Sequence, residues 1–477
     1  MLKKQDNILC PFCCYRFHPN EAEFRLQPSI SIDVKKSKKT TDGKLLDEKL
    51  YNYHATISQS TDKIAKEKAM QYPFAAVDND GITYDNLDIE THGFVQRVTF
   101  TNTDGHLEVS DIRLCPNCHN NLPIGYGMRD TVLISILGDA RSGKSVFLTM
   151  LIAELENNSD FVSKLTFIGD KEVRENFYET YQKPLLKEQT LISSTKRKKI
   201  PPYAFNYWYN YKDENGTLRE NSIDVIFYDI AGEDLRDDYG IRNNGFNIKD
   251  SSGLIFLVDP TNFRRMADLF RFSDAALIDA IPDENSNQAI FNTLYNYFIG
   301  LNMEKSEIPM ALTLSKADLF KYVNFSFFGN KPENRIQNMV NDEIHRGAVN
   351  MPSIKGINQE VRELISHLGE DGVLNNAAGS FKNVNCFAIS SLGKKPTVEK
   401  ISDPKTNETV EKGFIDGPLI PFRVKEPFYW ILMRNKLMLK YENGRYVLHS
   451  DTHTNAEVVD KVSVWQRILN FINSFKK

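Results

Sequence analysis

A glycine-rich segment with a lysine and two serines has the spacing that surrounds phosphate groups. It fits the pattern G-x-x-x-x-G-K-[ST] and follows the apolar run 131–137, which predicts a strand, while an apolar helix is predicted after it. Backbone N–H groups and the helix N-terminus would face the phosphates. Lys144 would reach the outer phosphates, and the Ser145 hydroxyl would bind Mg²⁺. The predicted phosphate-binding residues are Gly138, Asp139, Ala140, Arg141, Ser142, Gly143, Lys144, Ser145 and Val146.

A second segment, Asp229-Ile230-Ala231-Gly232, follows the strand-like run 222–228. Asp229 is expected to hold Mg²⁺, and the N–H of Gly232 is expected to approach the terminal phosphate. The next residue, Glu233, would orient or deprotonate the attacking water. The pattern D-x-x-G is weak alone but gains weight at a strand end roughly eighty residues after a phosphate loop.

A third segment, Ser315-Lys316-Ala317-Asp318, follows the predicted strand 308–314 and would recognise the base. The Asp318 carboxylate can accept hydrogen bonds from the ring N–H and the exocyclic amine of guanine. Adenine offers no donor at either place, so discrimination on the order of 10⁴-fold is expected. The Lys316 stem can pack along the base plane. A solvent-facing turn with two charges is the alternative.

With these segments in this order, residues 130–439 resemble the Ras-like P-loop GTPases of the translation-factor class. The resemblance implies an α/β fold, with a mostly parallel sheet and helices on both faces, and a Mg²⁺-dependent hydrolysis of GTP to GDP. It also implies that the run 253–260 is a strand between the phosphate sensor and the base-reading segment. The backbone of the loop after the last strand would touch the base, through Ser390, Ser391 and Leu392.

The chain departs from that family at three positions. Ser315 stands where the family has Asn or Thr, which would shorten one contact to the phosphate loop. Glu233 stands where many members carry a water-positioning Gln, so hydrolysis is expected to be slow without a partner. Arg141 lies within the phosphate loop, either as a charge acting on the phosphates or as a surface side chain.

The first switch loop is expected between Ser145 and Asp229 and would supply a threonine to Mg²⁺. Thr190 and Thr195 both precede the predicted strand 203–209. We favour Thr195 because Pro201 and Pro202 after it close an exposed basic loop, 196–199.

Two C-x-x-C pairs, separated by about a hundred residues, predict a tetrahedral zinc site of the zinc-ribbon kind. Disulfides and a redox C-x-x-C are the alternatives. The lack of a signal peptide and the nucleotide site predict a reducing compartment, which disfavours disulfides, and the presence of two pairs disfavours a redox motif. Cys14, His18 and His119 flank the pairs, but four sulfurs already close a structural site. The predicted zinc ligands are Cys10, Cys13, Cys115 and Cys118.

The combination of zinc ribbon and Ras-like domain is similar to ribbon-bearing GTPases of bacterial conflict and defence gene clusters. At 477 residues with 41% hydrophobic content, the chain predicts several globular domains. A net charge of −4 gives no general argument for nucleic acid, and no apolar run is long enough to cross a membrane. A cytoplasmic location is therefore expected.

Four regions are predicted. Residues 1–22 and 107–128 form the ribbon, 23–106 an inserted module, 129–440 the GTPase domain, and 441–477 a tail with an amphipathic helix. That helix would pack on its own domain, dock a partner or lie on a membrane. A closing helix is expected at 428–439 and a surface loop or hairpin at 393–417.

Three functions remain open. The first is a GTP-hydrolysing switch that contacts a protein partner through its switch loops, ribbon or tail. The second is a scaffold that binds nucleotide without turning it over, and the third is an ATP-dependent protein that contacts nucleic acid, which Asp318 disfavours.

Overall fold

The computed structural model describes most of the chain between Ile8 and Val447. Ala140, Arg141, Thr195 and the tail helix predicted at 456–477 lie outside the described residues. The described residues are 8–26, 44–58, 60–75, 82–85, 95, 97–101, 107–127, 129–139, 142–158, 161–169, 171–192, 202–212, 217–230, 232–236, 240–241, 245, 247–263, 265–266, 286–322, 335–402 and 409–447.

The N-terminal region is built from short antiparallel strands and two short helices. The Asp47 carboxylate accepts a hydrogen bond from the Leu50 N–H at 3.1 Å and so caps the first helix. The strands are β1 Ile8–Leu9, β2 Arg16–Phe17, β3 Glu23–Arg25, β4 Leu45–Leu46, β5 Met70–Gln71, β6 Phe74–Ala75, β7 Ile82–Asp85, β8 Arg97–Thr101, β9 Leu107–Ser110 and β10 Arg113–Leu114. The helices are α1 Glu48–Asn52 and α2 Asp62–Ala69, with a π-helical turn at Tyr53–Ile57 between them.

Strand β3 joins the two halves of this region. It lies between β10 and β6 in a three-stranded sheet, so residues just after the first cysteine pair are hydrogen-bonded to residues just before the second. The two ends of the segment between the cysteine pairs are thus joined in one sheet.

The rest of the described chain is dominated by a larger sheet. Apolar, β-branched runs form its central strands, which are buried along almost their whole length. The strands are β11 Thr131–Gly138, β12 Ser163–Phe167, β13 Tyr203–Lys212, β14 Leu218–Asp229, β15 Gly253–Val258, β16 Met310–Leu314, β17 Ile344–His345, β18 Ala348–Asn350, β19 Val384–Ala388, β20 Thr397–Ser402, β21 Thr409–Phe414, β22 Lys440–Glu442 and β23 Arg445–Val447.

Seven strands form the central sheet in the order β12-β13-β14-β11-β15-β16-β19. Strands β14, β11, β15, β16 and β19 are parallel, whereas β12 and β13 add an antiparallel edge. This mixed α/β architecture fits a P-loop GTPase-like fold. The strands predicted around 131–137, 222–228, 253–260 and 308–314 are confirmed.

The register brings the carboxyl ends of the parallel strands to one edge. Gly138 pairs with Leu257, Asp229 with Ile136, and Leu314 with both Val258 and Ala388. The loops that follow these strands therefore leave the sheet side by side.

Helices pack on this sheet through apolar side chains. Helix α3, Lys144–Glu156, begins within the glycine-rich segment and contacts β11, β12 and β14, and most of its side chains are buried. The remaining helices are α4 Lys171–Phe177, α5 Ser286–Gly300, α6 Met351–His367, α7 Asp371–Ser380 and α8 Glu426–Arg434, with α3 spanning Lys144–Glu156 and a π-helix at Tyr178–Lys187.

The closing helix is shorter than its sequence suggests. Helix α8 ends at Arg434, because Lys436 takes a left-handed φ of 62° and the Leu437 N–H bonds the Leu432 carbonyl. The expected end at residue 439 was therefore wrong. The chain then enters β22, which pairs with β18 in a separate four-stranded sheet, so the expected domain boundary at residue 440 falls inside a sheet.

Residues 393–417 contain the hairpin β20–β21. It packs beside the segment that leads to the predicted first switch loop: the Leu191 N–H bonds the Gly413 carbonyl at 2.8 Å, and the Ile415 N–H bonds the Gln189 carbonyl at 2.8 Å. Two segments that are far apart in sequence are thereby fixed to each other.

Gly138 at the end of β11 is required by sterics. Its φ is 144°, and a Cβ there would lie well inside 3.0 Å of the Leu257 carbonyl oxygen. Gly143 also has a positive φ, 89°, but a Cβ there would meet nothing within 4 Å. Gly138 is therefore required by packing as well as by its backbone conformation, whereas Gly143 is required by its backbone conformation alone.

We expect Gly138→Ala to destabilise the fold clearly more than Gly143→Ala. Gly143→Ala should cost only the left-handed strain of about 1–2 kcal/mol. Gly138→Ala should add a clash with backbone that cannot move without displacing β15. Urea unfolding of both variants measures this, and equal losses of unfolding free energy would show that β11 and β15 are not packed this closely.

Candidate nucleotide and metal sites

The four predicted zinc ligands converge on one point. Their sulfur atoms all lie within 4.8 Å of one another, with Cys10 to Cys118 at 3.7 Å and Cys13 to Cys115 at 3.8 Å. Sulfurs at about 2.3 Å from a tetrahedral zinc would be about 3.8 Å apart, whereas a disulfide needs about 2.05 Å. The cluster is thus compatible with zinc, and its cysteines are free thiols rather than disulfides.

Amide donors point at these sulfurs. The Phe12 N–H donates to the Cys10 sulfur at 3.4 Å, and Asn120 donates to the Cys118 sulfur at 3.2 Å. Such donors stabilise thiolates and orient metal ligands. Cys14 does not join the cluster, because its sulfur faces the Tyr228 hydroxyl at 3.7 Å and burial raises its pKa to about 12.

The first cysteine turn is docked directly onto the large sheet. Tyr228, which is buried in β14, donates its hydroxyl hydrogen bond to the Pro11 carbonyl. Tyr126 likewise donates to the Leu9 carbonyl at 2.5 Å, and Cys10 belongs to the same apolar core as the central strands. The cysteine cluster is therefore part of the main core and borders the residue that precedes Asp229.

His119, which directly follows Cys118, holds the second cysteine turn in place. Its Nδ1 lies 2.8 Å from Asp47, and its Nε2 is paired with Glu23. Burial alone would lower the pKa of His119, but the two carboxylates outweigh burial and raise it. Arg25 completes the group by contacting Asp47 at 2.8 Å. Residues of the inserted segment thus hold the turn in place.

The described residues of the glycine-rich segment connect the end of β11 to the start of α3. Gly143 is the left-handed residue before α3, so the helix N-terminus opens onto the loop. The Lys144 Nζ donates to the carbonyls of Gly138 and Asp139 at 2.9 and 2.8 Å, and Ser142 donates to the Asp139 carbonyl at 2.8 Å. The lysine lies across its own loop, and Val146 is half-buried in the first turn of α3.

The two predicted magnesium ligands on β14 and α3 are in contact. The Ser145 hydroxyl donates to the Asp229 carboxylate at 2.8 Å. Burial raises the pKa of Asp229, while Lys144 and the Ser145 hydrogen bond oppose that effect. A half-buried carboxylate beside a hydroxyl and a lysine suits a hard divalent cation.

The segment after Asp229 forms a 3-10 turn, Gly232–Leu235, with Gly232 buried and the Glu233 backbone inside it. Arg236 follows this turn and forms an ion pair with Asp139 at 2.8 Å. The pair joins the phosphate loop to the predicted phosphate sensor. Sequence reasoning missed Arg236, because no motif marks it and its partner is nearly a hundred residues away.

The third segment and the loop after β19 meet at the same edge. Asp318 is buried and accepts a hydrogen bond from the Ser390 hydroxyl, while burial raises the pKa of Asp318. The Ala317 N–H bonds the Ile389 carbonyl at 2.9 Å. Ser391 and Leu392 follow Ser390 and are half-buried.

Lys316 and Ser315 connect this segment to the neighbouring strand. Lys316 has a left-handed φ of 54° and forms an ion pair with Asp259 just after β15. The Ser315 hydroxyl donates to the Val258 carbonyl at 3.2 Å rather than to the phosphate loop. Of the two candidate switch threonines, Thr190 is buried with its N–H bonded to the Pro184 carbonyl at 2.9 Å, and Thr195 lies outside the described residues.

Residues 132–368 match the family model of Double-GTPase 2. This match supports a GTPase-type domain in the chain, and it begins in β11 and ends just after α6. The chain is also similar to a protein of Mycolicibacterium smegmatis named "Putative ESX-1 scaffolding and assembly protein SaeC". The two are 20% identical over 335 residues, which cover 68% of this chain and 80% of the relative.

Helices that could cross a bilayer, being both long and apolar, are not found among the described residues.

We expect Cys13→Ala to reduce bound zinc and to lower the unfolding temperature of the whole described core, because the cluster belongs to that core. Cys14→Ala is the matched control, since Cys14 is adjacent in sequence but faces Tyr228. Elemental analysis and calorimetry of both variants measure these effects. Equal zinc content in the two variants would contradict the assignment.

Proposed function

We propose that this protein is a Mg²⁺-dependent guanine-nucleotide switch that hydrolyses GTP and is stabilised by a structural zinc. The observation that carries the proposal is the meeting of three groups at one sheet edge. They are the phosphate loop after β11, the Ser145–Asp229 contact and the buried pair of Asp318 and Ser390. The match to Double-GTPase 2 supports the same class of domain.

At the phosphate end, Lys144 and the α3 N-terminus would bind the outer phosphates, and Ser145 and Asp229 would hold Mg²⁺. The bound ion would neutralise charge on the β- and γ-phosphates. Lys144 would replace its hydrogen bonds to the Gly138 and Asp139 carbonyls with hydrogen bonds to phosphate oxygens. The Gly232 N–H would face the terminal phosphate, so the turn that follows it would respond to hydrolysis. Glu233 is the proposed water-orienting residue, and Thr195 remains the proposed threonine ligand of Mg²⁺.

At the base end, the buried Asp318 carboxylate selects guanine. It already accepts one hydrogen bond from Ser390, and a carboxylate has capacity for several more. Guanine supplies two donors, whereas adenine would leave the desolvated carboxylate without either. The stem of Lys316 would pack on the base, and the backbone of Ser390, Ser391 and Leu392 would line its edge.

The zinc would act structurally. Four thiolates leave no open position for a substrate or a water. The cluster is packed on Tyr228, so the metal would support the strand that presents Asp229. Partner recognition through this region would then use its outward side.

A scaffold that binds GTP without hydrolysing it is the second candidate. The relative from Mycolicibacterium smegmatis carries scaffolding and assembly in its name, and the chain has Glu rather than Gln after Gly232. Protein partners fit both candidates, and turnover separates them.

Asp318→Ala is expected to weaken GDP binding by about a hundredfold or more, because two hydrogen bonds to a charged acceptor are lost. Asp318→Asn should shift preference toward a xanthine nucleotide, whose 2-oxo group accepts where guanine donates. Titration calorimetry with GDP, XDP and ADP measures this. A wild-type protein that prefers ADP would overturn the guanine assignment.

Multiple-turnover GTP hydrolysis by the purified protein is expected to be slow but measurable, and to be lost in Lys144→Ala. Phosphate release under Mg²⁺ provides the assay, and Lys171→Ala, at the exposed start of α4, is the control. Tight GTP binding without any turnover would favour the scaffold.

A further inference from the structure

Arg236 forms an ion pair with Asp139 of the predicted phosphate loop. No sequence motif predicts this contact. Its Nη2 lies 2.8 Å from the Asp139 Oδ1, and Asp139 is the residue directly after Gly138. Arg236 itself is the residue directly after the turn Gly232–Leu235. The pair therefore links the predicted phosphate loop to the turn Gly232–Leu235, which would contact the terminal phosphate.

The two partners differ in how firmly they are held. The Asp139 side chain is only 5% exposed, and its backbone carbonyl is bonded by both Lys144 and Ser142. The Arg236 side chain is 40% exposed. Asp139 is thus the more firmly held partner, and the Arg236 side chain is the more exposed one.

The backbone on the Arg236 side is also attached to the core. Leu235 is fully buried, and the Thr293 hydroxyl of α5 contacts the Arg236 carbonyl at 3.3 Å. The turn is therefore held from beneath by Leu235 and from the phosphate side by the Arg236 guanidinium. The second attachment reaches the predicted phosphate loop.

A carboxylate in this position would repel a bound polyphosphate unless it were neutralised. Asp139 lies in the predicted phosphate loop and is largely removed from solvent, so its charge is poorly screened. A guanidinium at 2.8 Å cancels most of that charge. The ion pair therefore has an electrostatic consequence for the phosphates as well as a mechanical one for the turn.

We propose that Arg236 is a positioning residue of the GTPase site, acting through Asp139 in two ways. It neutralises the loop carboxylate so that phosphates can bind, and it holds the Gly232 turn beside the phosphate loop for hydrolysis. This inference rests on the proposed function. It predicts that affinity and turnover respond differently when the two partners are replaced singly and together.

The test measures GDP affinity, affinity for a non-hydrolysable GTP analogue, and the single-turnover rate of GTP hydrolysis with Mg²⁺. Arg236→Gln should weaken both nucleotides about tenfold, because the Asp139 carboxylate loses the guanidinium that offsets its charge. Asp139→Asn should keep the affinity but slow hydrolysis. The double variant should regain GDP affinity to within about threefold of wild type, yet hydrolyse at least about tenfold more slowly.

Arg265→Gln is the matched control, because Arg265 is an exposed arginine that contacts the His367 carbonyl away from this edge. It should match wild type in every measurement. A general loss of stability in Arg236→Gln would not be relieved by the second substitution, so rescue of affinity distinguishes neutralisation from unfolding.

If Arg236→Gln kept wild-type affinity and rate, this inference would be wrong and the proposed function would stand. A double variant that binds no better than Arg236→Gln would lead to the same conclusion. A wild-type protein that binds no guanine nucleotide would overturn the proposed function and this inference with it. A wild type that binds but does not hydrolyse would overturn the mechanical half, and the affinity measurements would still decide the electrostatic half.

Discussion

The parallel pairing of β11 with β14 and β15 is the constraint on which the site depends. Parallel ladders keep neighbouring strands in phase, so Gly138, Asp229 and Val258 reach the sheet edge together. A slip of one residue in β14 would move Asp229 to the opposite face and separate it from Ser145. On the other side of β11, Gly138 lies so close to the Leu257 carbonyl of β15 that a side chain at that position would not fit.

Buried carboxylates are the second common feature of this edge. Asp139 and Asp318 are buried, Asp229 is half-buried, and each has a specific partner: Arg236, Ser145 and Ser390. Burial of a carboxylate is unfavourable without compensation, and a hydroxyl compensates only in part. Asp229 and Asp318 are therefore suited to stronger partners, a divalent cation and a pair of base N–H donors. Asp139 already has its cation, which is why its role differs from theirs.

The sequence predicted the features that depend on local spacing. The strand, turn and helix around Lys144 follow from an apolar run, two glycines and a second apolar run, all within thirty residues. The convergence of two C-x-x-C turns also followed from spacing, because two such pairs are typical of a tetrahedral zinc site. The seven-stranded sheet was expected only as mostly parallel, and its antiparallel edge of β12 and β13 was not foreseen.

The contacts that could not be predicted join residues far apart in sequence through groups with no distinctive pattern. A tyrosine in an apolar strand gives no sign that its hydroxyl will meet Pro11, and a single arginine after a turn gives no sign of Asp139. The end of α8 was missed for a related reason, since a lysine rather than a glycine adopts the left-handed conformation that ends it. Tertiary packing selects that conformation.

Through Tyr228, the cysteine cluster supports the end of the strand that carries Asp229. Its hydroxyl contacts the first cysteine turn, while the next residue along the strand is Asp229. Successive side chains of a strand point to opposite faces, so the cluster and the predicted magnesium site lie on opposite sides of the same strand end. Loosening of the cluster would remove packing from behind that strand end and not only from a peripheral module. The cysteine region therefore packs as part of the same core as the large sheet and is not a separate peripheral module.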